Sequence, residues 1–418
     1  MRPWFSNDAI VAGILLTVLA LIFVTASSKR RGWQTFYRYV PALLLCYFIP
    51  AFLNWPLGLI SGEESNLYFV ASRYFLPASL ILLCLGIDLK GVLNLGSKSL
   101  IMFFTATAGI ILGGPIALLI ILNIWPEVIS ASTEDLWRGL STVAGSWIGG
   151  GANQTAMKEI FQVSDKLFST MVVVDVVVAN IWMGFLLYGA NITRRIDTWL
   201  KADTTAIDDL KRRVEDYRAG IETIPTVIDL FVLLAIAFGG TAIAHIVADQ
   251  IAPLMQSYAS VLQALRLDSL MSPFFWLIVT STTIGLLLSF TKLKSLEGVG
   301  ASKWGSVFIY FLVATIGMNM NIAEVFDNLG LFAVGLIWMS VHVASLIIVA
   351  KLIRAPFFFV AVGSQANVGG AASAPVVASA FSPSLAPVGV LMAVLGYALG
   401  TYGAIICAWI MQVVAMSS

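Results

Sequence analysis

Apolar runs of roughly 18 to 23 residues recur along the whole chain, and each is long enough to cross a hydrocarbon core of ~30 Å. Backbone in lipid must satisfy its own N–H and C=O groups, so runs of this kind read as helices. A chain carrying this many is an all-α polytopic membrane protein. Composition agrees: 11% of the 418 residues are charged, against about 25% in a soluble domain. The net charge of +1 offers no basic face for nucleic acid. Cys46, Cys84 and Cys407 sit inside apolar runs and read as small buried apolar groups, with no metal motif beside them. The first run, Ala9 to Ala26, has most of its flanking positive charge after it and reads as an uncleaved anchor.

Two glycine-rich polar stretches interrupt the apolar pattern. GSWIGGGANQT occupies Gly145 to Thr155, and GSQANVGGAASAP occupies Gly363 to Pro375. Glycine raises the cost of ordering a helix interior, so each stretch reads as a break that presents backbone and amide groups to something polar. A shift of 220 residues lays Gly149–Gly150 on Gly369–Gly370, Phe161 on Phe381 and Ser164 on Ser384. CLGIDL at Cys84 to Leu89 resembles TIGMNM at Thr315 to Met320, with Asp88 opposite Asn319. LNLG at Leu93 to Gly96 resembles DNLG at Asp327 to Gly330. Together these point to duplication, with residues 1–190 and 225–418 as the two transmembrane repeats and 191–224 as a cytoplasmic linker. The linker holds seven basic and seven acidic residues, and its spacing from Thr205 to Tyr217 suits a helix lying in solvent.

The first half has apolar runs near 9–26, 39–59, 67–87, 99–122 and 167–188, and the second near 227–247, 273–290, 306–321, 330–350 and 386–411. If each glycine-rich segment is a re-entrant hairpin, each half has five spans and the second is inverted. The basic clusters at 29–38, 90–98, 194–218, 292–303 and 351–354 then fall on one, cytoplasmic side. Full crossing by both segments would place the linker outside instead. The expectation is therefore two inverted-topology repeats of about five spans, each with a glycine-rich broken or re-entrant helical segment.

Ser146, Asn153, Gln154 and Thr155 in the first segment, with Ser364, Gln365, Asn367 and Ser373 in the second, offer neutral hard-oxygen and amide groups. Such groups suit Na⁺ or the polar end of an organic solute, not zinc. Gly149, Gly150, Gly151, Gly369 and Gly370 permit the breaks. Asp175 lies mid-run in MVVVDVVVANIW, where a carboxylate must meet protein, water or a cation. Asn180, five residues on, sits about 140° around the helix and contacts other partners. A coupling Na⁺ would sit near Asn153, Asp175, Gln365 and Asn367. Asp88 and Asn319 lie at span ends, His342 reads as bonded to a neighbouring carbonyl or hydroxyl, and Lys158 with Glu159 reads as a wet hairpin rim.

On the two glycine motifs, with Gly149–Gly150–Gly151 and Asn153 in one and Gln365–Ala366–Asn367 and Gly369–Gly370 in the other, nearly the whole chain resembles the DUF819 family of membrane proteins. That family resembles, more distantly, the bile-acid/sodium symporters, cation/proton antiporters and 2-hydroxycarboxylate transporters. The resemblance implies an elevator-type transporter, a homodimer and a bacterial cell inner membrane. The expected function is cation-coupled (Na⁺ or H⁺) secondary transport, or symport, of a small polar or anionic organic solute, with the first two spans of each half as scaffold. The alternative is an uncoupled channel or facilitator. The spans hold no paired carboxylates, HExxH or Ser/His/Asp grouping, so no enzyme is expected, and no cofactor beyond a coupling Na⁺.

Overall fold

The computed structural model describes residues 3–40, 42–62, 64–87, 95–129, 131–205, 207, 225–264, 267–319, 330–382 and 385–417. The regular structure of the described residues is helical, with no strand among them. Asp88, Glu324 and Asp327 lie outside them, as does the expected linker helix from residue 208 onward.

Helix α1 (Asp8–Ala26) starts at Asn7, whose side chain accepts from the Ala9 N–H. Its one buried stripe is Val11, Leu15, Leu19 and Ile22; the other faces are apolar and uncovered, as at a lipid boundary. The short α2 (Arg31–Tyr39) folds back on α1, where the Tyr37 hydroxyl donates to the Ile22 carbonyl at 3.0 Å. Helix α3 (Ala42–Asn54) is shorter than the expected run of 39–59. Trp55 precedes Pro56, and the residue before a proline is pushed out of the α region, which ends the helix there. Helix α4 (Leu67–Leu85) contains a π turn at Ala71–Phe75, and every residue from Leu76 to Leu85 is buried.

The chain continues with α5 (Ser97–Ile124), α6 (Thr133–Gly149), α7 (Gly151–Ile160), α8 (Asp165–Asn191) and α9 (Thr193–Leu200). The second half holds α10 (Val227–Gln256), α11 (Ala259–Ala264), α12 (Pro273–Ser289), α13 (Ala301–Gly317), α14 (Gly330–Ile353), α15 (Phe357–Val368), α16 (Gly370–Phe381) and α17 (Ala386–Ser417). Among the described residues, seven helices are long and apolar enough to cross a membrane: α1, α4, α5, α8, α10, α14 and the Val388–Met416 stretch of α17. Three more apolar helices, α3, α12 and α13, have 13, 17 and 17 residues.

The helices pack in two groups. In one, α4 is gripped by α10, α12 and α13. A Cβ at Gly285 of α12 would stand 2.7 Å from the Ile81 carbonyl oxygen, so only glycine allows α12 this close to α4. Helix α13 reaches α3 in the same way, through Gly317 against the Tyr47 carbonyl. Helices α4 and α13 thus pack with α3, α10 and α12, the helices expected to form the scaffold.

In the other group, α5 and α14 run antiparallel. Trp338 Nε1 donates to the Ile110 carbonyl at 2.8 Å, while His342, one turn later on α14, meets the Ala106 carbonyl, one turn earlier on α5. Helix α17 passes along both glycine-rich segments.

Candidate functional site

Each glycine-rich segment folds into a helical hairpin. Gly150, at φ +77°, breaks the chain between α6 and α7, a backbone conformation that L side chains rarely adopt. Helix α7 then returns along α6. At the open end Arg138 Nη1 donates to the Phe161 carbonyl at 2.8 Å, and the Trp137 and Phe161 rings meet edge-on at 5.5 Å. Near the turn, a Cβ at Gly145 would stand 2.6 Å from the Asn153 carbonyl oxygen. The second hairpin copies the first. Gly369 separates α15 from α16, which opens on Gly370 (φ +59°), and the Phe358 and Phe381 rings close the hairpin's open end at 5.4 Å. The residues that the 220-residue shift superposes, Gly150 with Gly370 and Phe161 with Phe381, are thus the turns and open-end aromatics of the two hairpins.

Helix α17 orders the hairpins relative to each other. Gly389, near its start, packs on Ala374 of the second hairpin, and Gln412, near its end, lies with Trp137, Arg138 and Phe161 at the open end of the first. Between them, Gly396 and Gly400 touch Ile148 and Gly149 at the first hairpin's tip. The hairpins therefore approach from opposite ends of α17, tip toward tip. Gly150, Gly151, Ala152, Gly369 and Gly370 line one cavity of about 110 Å³ with Tyr397, Tyr310 and Ser306.

Asp175 is buried on α8 and clasped by the first hairpin. Its Oδ2 accepts from Ser146 Oγ at 2.6 Å and Gln154 Nε2 at 2.9 Å, and its Oδ1 from Trp147 Nε1 at 2.7 Å. Two donors come from α6 and one from α7, so this side chain ties both arms to α8. A carboxylate is acceptor-only, and all three partners are donors.

Asn153 is buried too but turns to α17. Its Nδ2 donates to the Gly149 and Tyr397 carbonyls at 2.9 and 3.1 Å, and its Oδ1 accepts from Thr401 at 2.6 Å. Thr155 donates to the Gly151 carbonyl at 3.0 Å. Asn180, half-buried, donates to the Val176 carbonyl at 2.7 Å.

In the second hairpin, Asn367 Oδ1 accepts from Thr107 at 2.8 Å, and Asn367 Nδ2 reaches the Gly363 carbonyl at 3.0 Å. Gln365 Nε2 donates to Ser373 at 2.7 Å, and Gln365 Oε1 is buried without a partner. Ser364 Oγ accepts from Trp182 Nε1 at 2.7 Å and lies 2.8 Å from His342 Nε2. With the Trp182 proton on its oxygen, Ser364 donates to Nε2, which leaves the His342 Nδ1 proton for the Ala106 carbonyl. His342 therefore bonds a carbonyl and a hydroxyl, the arrangement expected from the sequence.

Asn153, Asp175, Gln365 and Asn367 do not share one hydrogen-bonded group; Asp175 gathers only Ser146 and Gln154 of the expected residues. Lys158 and Glu159 stand at a recess beside the hairpin's open end, as the expected rim would, but both are paired with other helices. Lys158 is buried, with Nζ 2.8 Å from Asp165 Oδ1 and 2.8 Å from the Tyr68 hydroxyl. Glu159 pairs with Arg73 at 3.0 Å and accepts from Tyr68. Burial of so charged a pair is sustained because each charge meets an opposite one. Sequence reasoning passed over Trp147, Trp182, Thr107, Thr401 and Arg73. Trp147 sits inside the first motif and Arg73 is marked as a charge within an apolar run, but Trp182, Thr107 and Thr401 carry no local signal. Among the described residues no group of His, Cys, Asp and Glu could hold a metal ion.

Fold and site define a polytopic α-helical membrane protein with two helical hairpins packed along one long helix. Residues 13–414 match the family model described as Protein of unknown function (DUF819), and the chain belongs to that family. No match was found among curated proteins.

Proposed function

We propose that this chain is a cation-coupled secondary transporter, driven by Na⁺ or H⁺, for a small polar or anionic organic solute. The observation that carries the reading is the meeting of two glycine tips at one cavity. Helices α7 and α16 both begin there, with no side-chain cap and no acidic residue in the first turn. Their unpaired N–H groups and positive dipole ends suit a carboxylate or another polar anion.

The hairpins are the re-entrant segments of two inverted repeats, 1–190 and 225–418, joined by a cytoplasmic linker. The antiparallel course of α5 against α14 supports this. The shorter α3, α12 and α13 complete five spans in each half. Asp175 supplies the coupling charge. A coupling cation would reach it by displacing one of its three donors. We infer from the paired hairpins the same distant kinship with the bile-acid/sodium symporter, cation/proton antiporter and 2-hydroxycarboxylate transporter group, and with it an elevator-type homodimer in a bacterial inner membrane, without enzymatic activity.

The test is uptake into proteoliposomes of a panel of small organic anions under an imposed Na⁺ or H⁺ gradient. Accumulation above the outside concentration, lost in Asp175→Asn, supports the reading. Uptake that only equilibrates and ignores both gradients would establish the uncoupled channel or facilitator instead.

A further inference from the structure

A recess of about 640 Å³ opens beside the first hairpin's open end, between α4, α7, α10 and α12. Arg73, Tyr74, Lys158, Glu159, His245 and Phe274 line it, with Asp249 as a further, exposed acidic side chain. Arg73 stands in the π turn of α4 and lies over the Phe274 ring at 4.4 Å. His245 Nε2 lies 2.9 Å from the Arg73 carbonyl oxygen and so braces the turn that presents this side chain. Among the described residues Glu159 is the one side chain bonded by the guanidinium, through Nη1 alone. Arginine carries five donors in a fork that fits a carboxylate bidentately. The Arg73 side chain is 32% exposed while that of Glu159 is 12% exposed, so the unused edge of the fork is open and its partner is not. Glu159 also keeps Tyr68 and Lys158, 3.6 Å away, and stays paired if Arg73 leaves it.

We infer that this recess is an organic-anion site in which the guest's carboxylate takes Arg73 from Glu159. Aromatic walls at Phe69, Tyr74 and Phe274 admit an apolar body behind the carboxylate. Because Glu159 is on α7 and Arg73 on α4, the exchange removes a bond between the first hairpin and its neighbouring group. It rests on the transporter reading for its role as the point where solute first docks; the binding itself does not.

The experiment is calorimetric titration of the purified full chain with sodium acetate, succinate and benzoate, against sodium chloride as ionic control. Saturable binding of at least one carboxylate is expected. Glu159→Gln removes the internal competitor and tightens binding about tenfold, Arg73→Gln weakens it at least about tenfold, and Arg73→Lys falls between, because it keeps charge without the fork. No carboxylate binding above chloride overturns the inference, and so does Arg73→Gln binding like the unmodified chain. Glu159→Gln, which keeps the Tyr68 bond, guards against reading a misfolded arginine variant as lost binding. Carboxylate binding of this pattern in a protein that moves no solute under any gradient would sink the transporter reading and leave the site standing.

Discussion

Replacing Asp175 by asparagine keeps the shape of the side chain and changes only what it can accept. The carboxylate takes three hydrogen bonds, from Ser146, Gln154 and Trp147. A carboxamide has one oxygen. Turned toward Ser146 and Gln154, it aims its NH₂ at the Trp147 N–H. Turned toward Trp147, it aims NH₂ at two donors; Ser146 can rotate to accept, while Gln154 must swing its oxygen off the Tyr47 hydroxyl, 3.5 Å away. Bonds to a charged acceptor contribute about 1.5–3 kcal/mol each and neutral ones about 0.5–1.5 kcal/mol, so three weakened bonds amount to about 3 kcal/mol. Asp175→Ala strands all three donors and should cost about 5 kcal/mol on the same scale. The assay is thermal unfolding of the purified protein by intrinsic tryptophan fluorescence, which Trp147 itself reports. Asp175→Asn should lower the apparent midpoint by about 3–6 °C, with Asp175→Ala lower still. Adding Ser146→Ala to Asp175→Ala should cost less than the sum of the two, since they share one bond. Midpoints within about 1 °C of the unmodified chain for both Asp175 variants, or strict additivity in the double variant, would refute the clasp.

Gly149→Ala should destabilise by about 1–3 kcal/mol, because its Cβ would stand 2.6 Å from the Gly400 Cα, whereas Gly151→Ala, with nothing within 4 Å, should melt near the parent. His342→Ala should lower the midpoint by an amount equivalent to about 1–3 kcal/mol, the cost of stranding the buried Ser364 hydroxyl and Ala106 carbonyl. Outside the spans, hydrogen bonding from the Thr205 hydroxyl and pairing with Lys98 hold the Asp203 carboxyl down at about 2. Its tie to Lys98 should therefore survive from neutral pH down through the ordinary carboxylate range near 4 and be lost as pH falls through about 2. Limited proteolysis near residue 203 should be flat over the upper range and rise only at the acid end.

Both hairpin turns were legible because glycine at positive φ leaves a local mark, and the 220-residue spacing of the two motifs located both marks at once. The open-end aromatics Phe161 and Phe381 were legible for the same reason. The partners of Asp175 were not. Ser146 and Trp147 lie 29 and 28 residues away, and nothing in an apolar helix says which neighbour its polar residue will face. The pairing of Lys158 and Glu159 was not legible either, because the Arg73, Tyr68 and Asp165 that satisfy them come from two other helices. Hydropathy also cannot separate lipid from protein as surroundings. Helix α4 and helix α1 are both apolar, yet 61% of the one and 22% of the other is buried inside the protein. That blindness hid the packing of α4 against α10, α12 and α13.

Gly149, Gly396 and Gly400 bring the first hairpin's tip and α17 into backbone contact, with Asn153 stitched across to Thr401. Two rods meshed in this way cannot slide past each other without lifting apart. Any large displacement of one must carry the other with it as one piece.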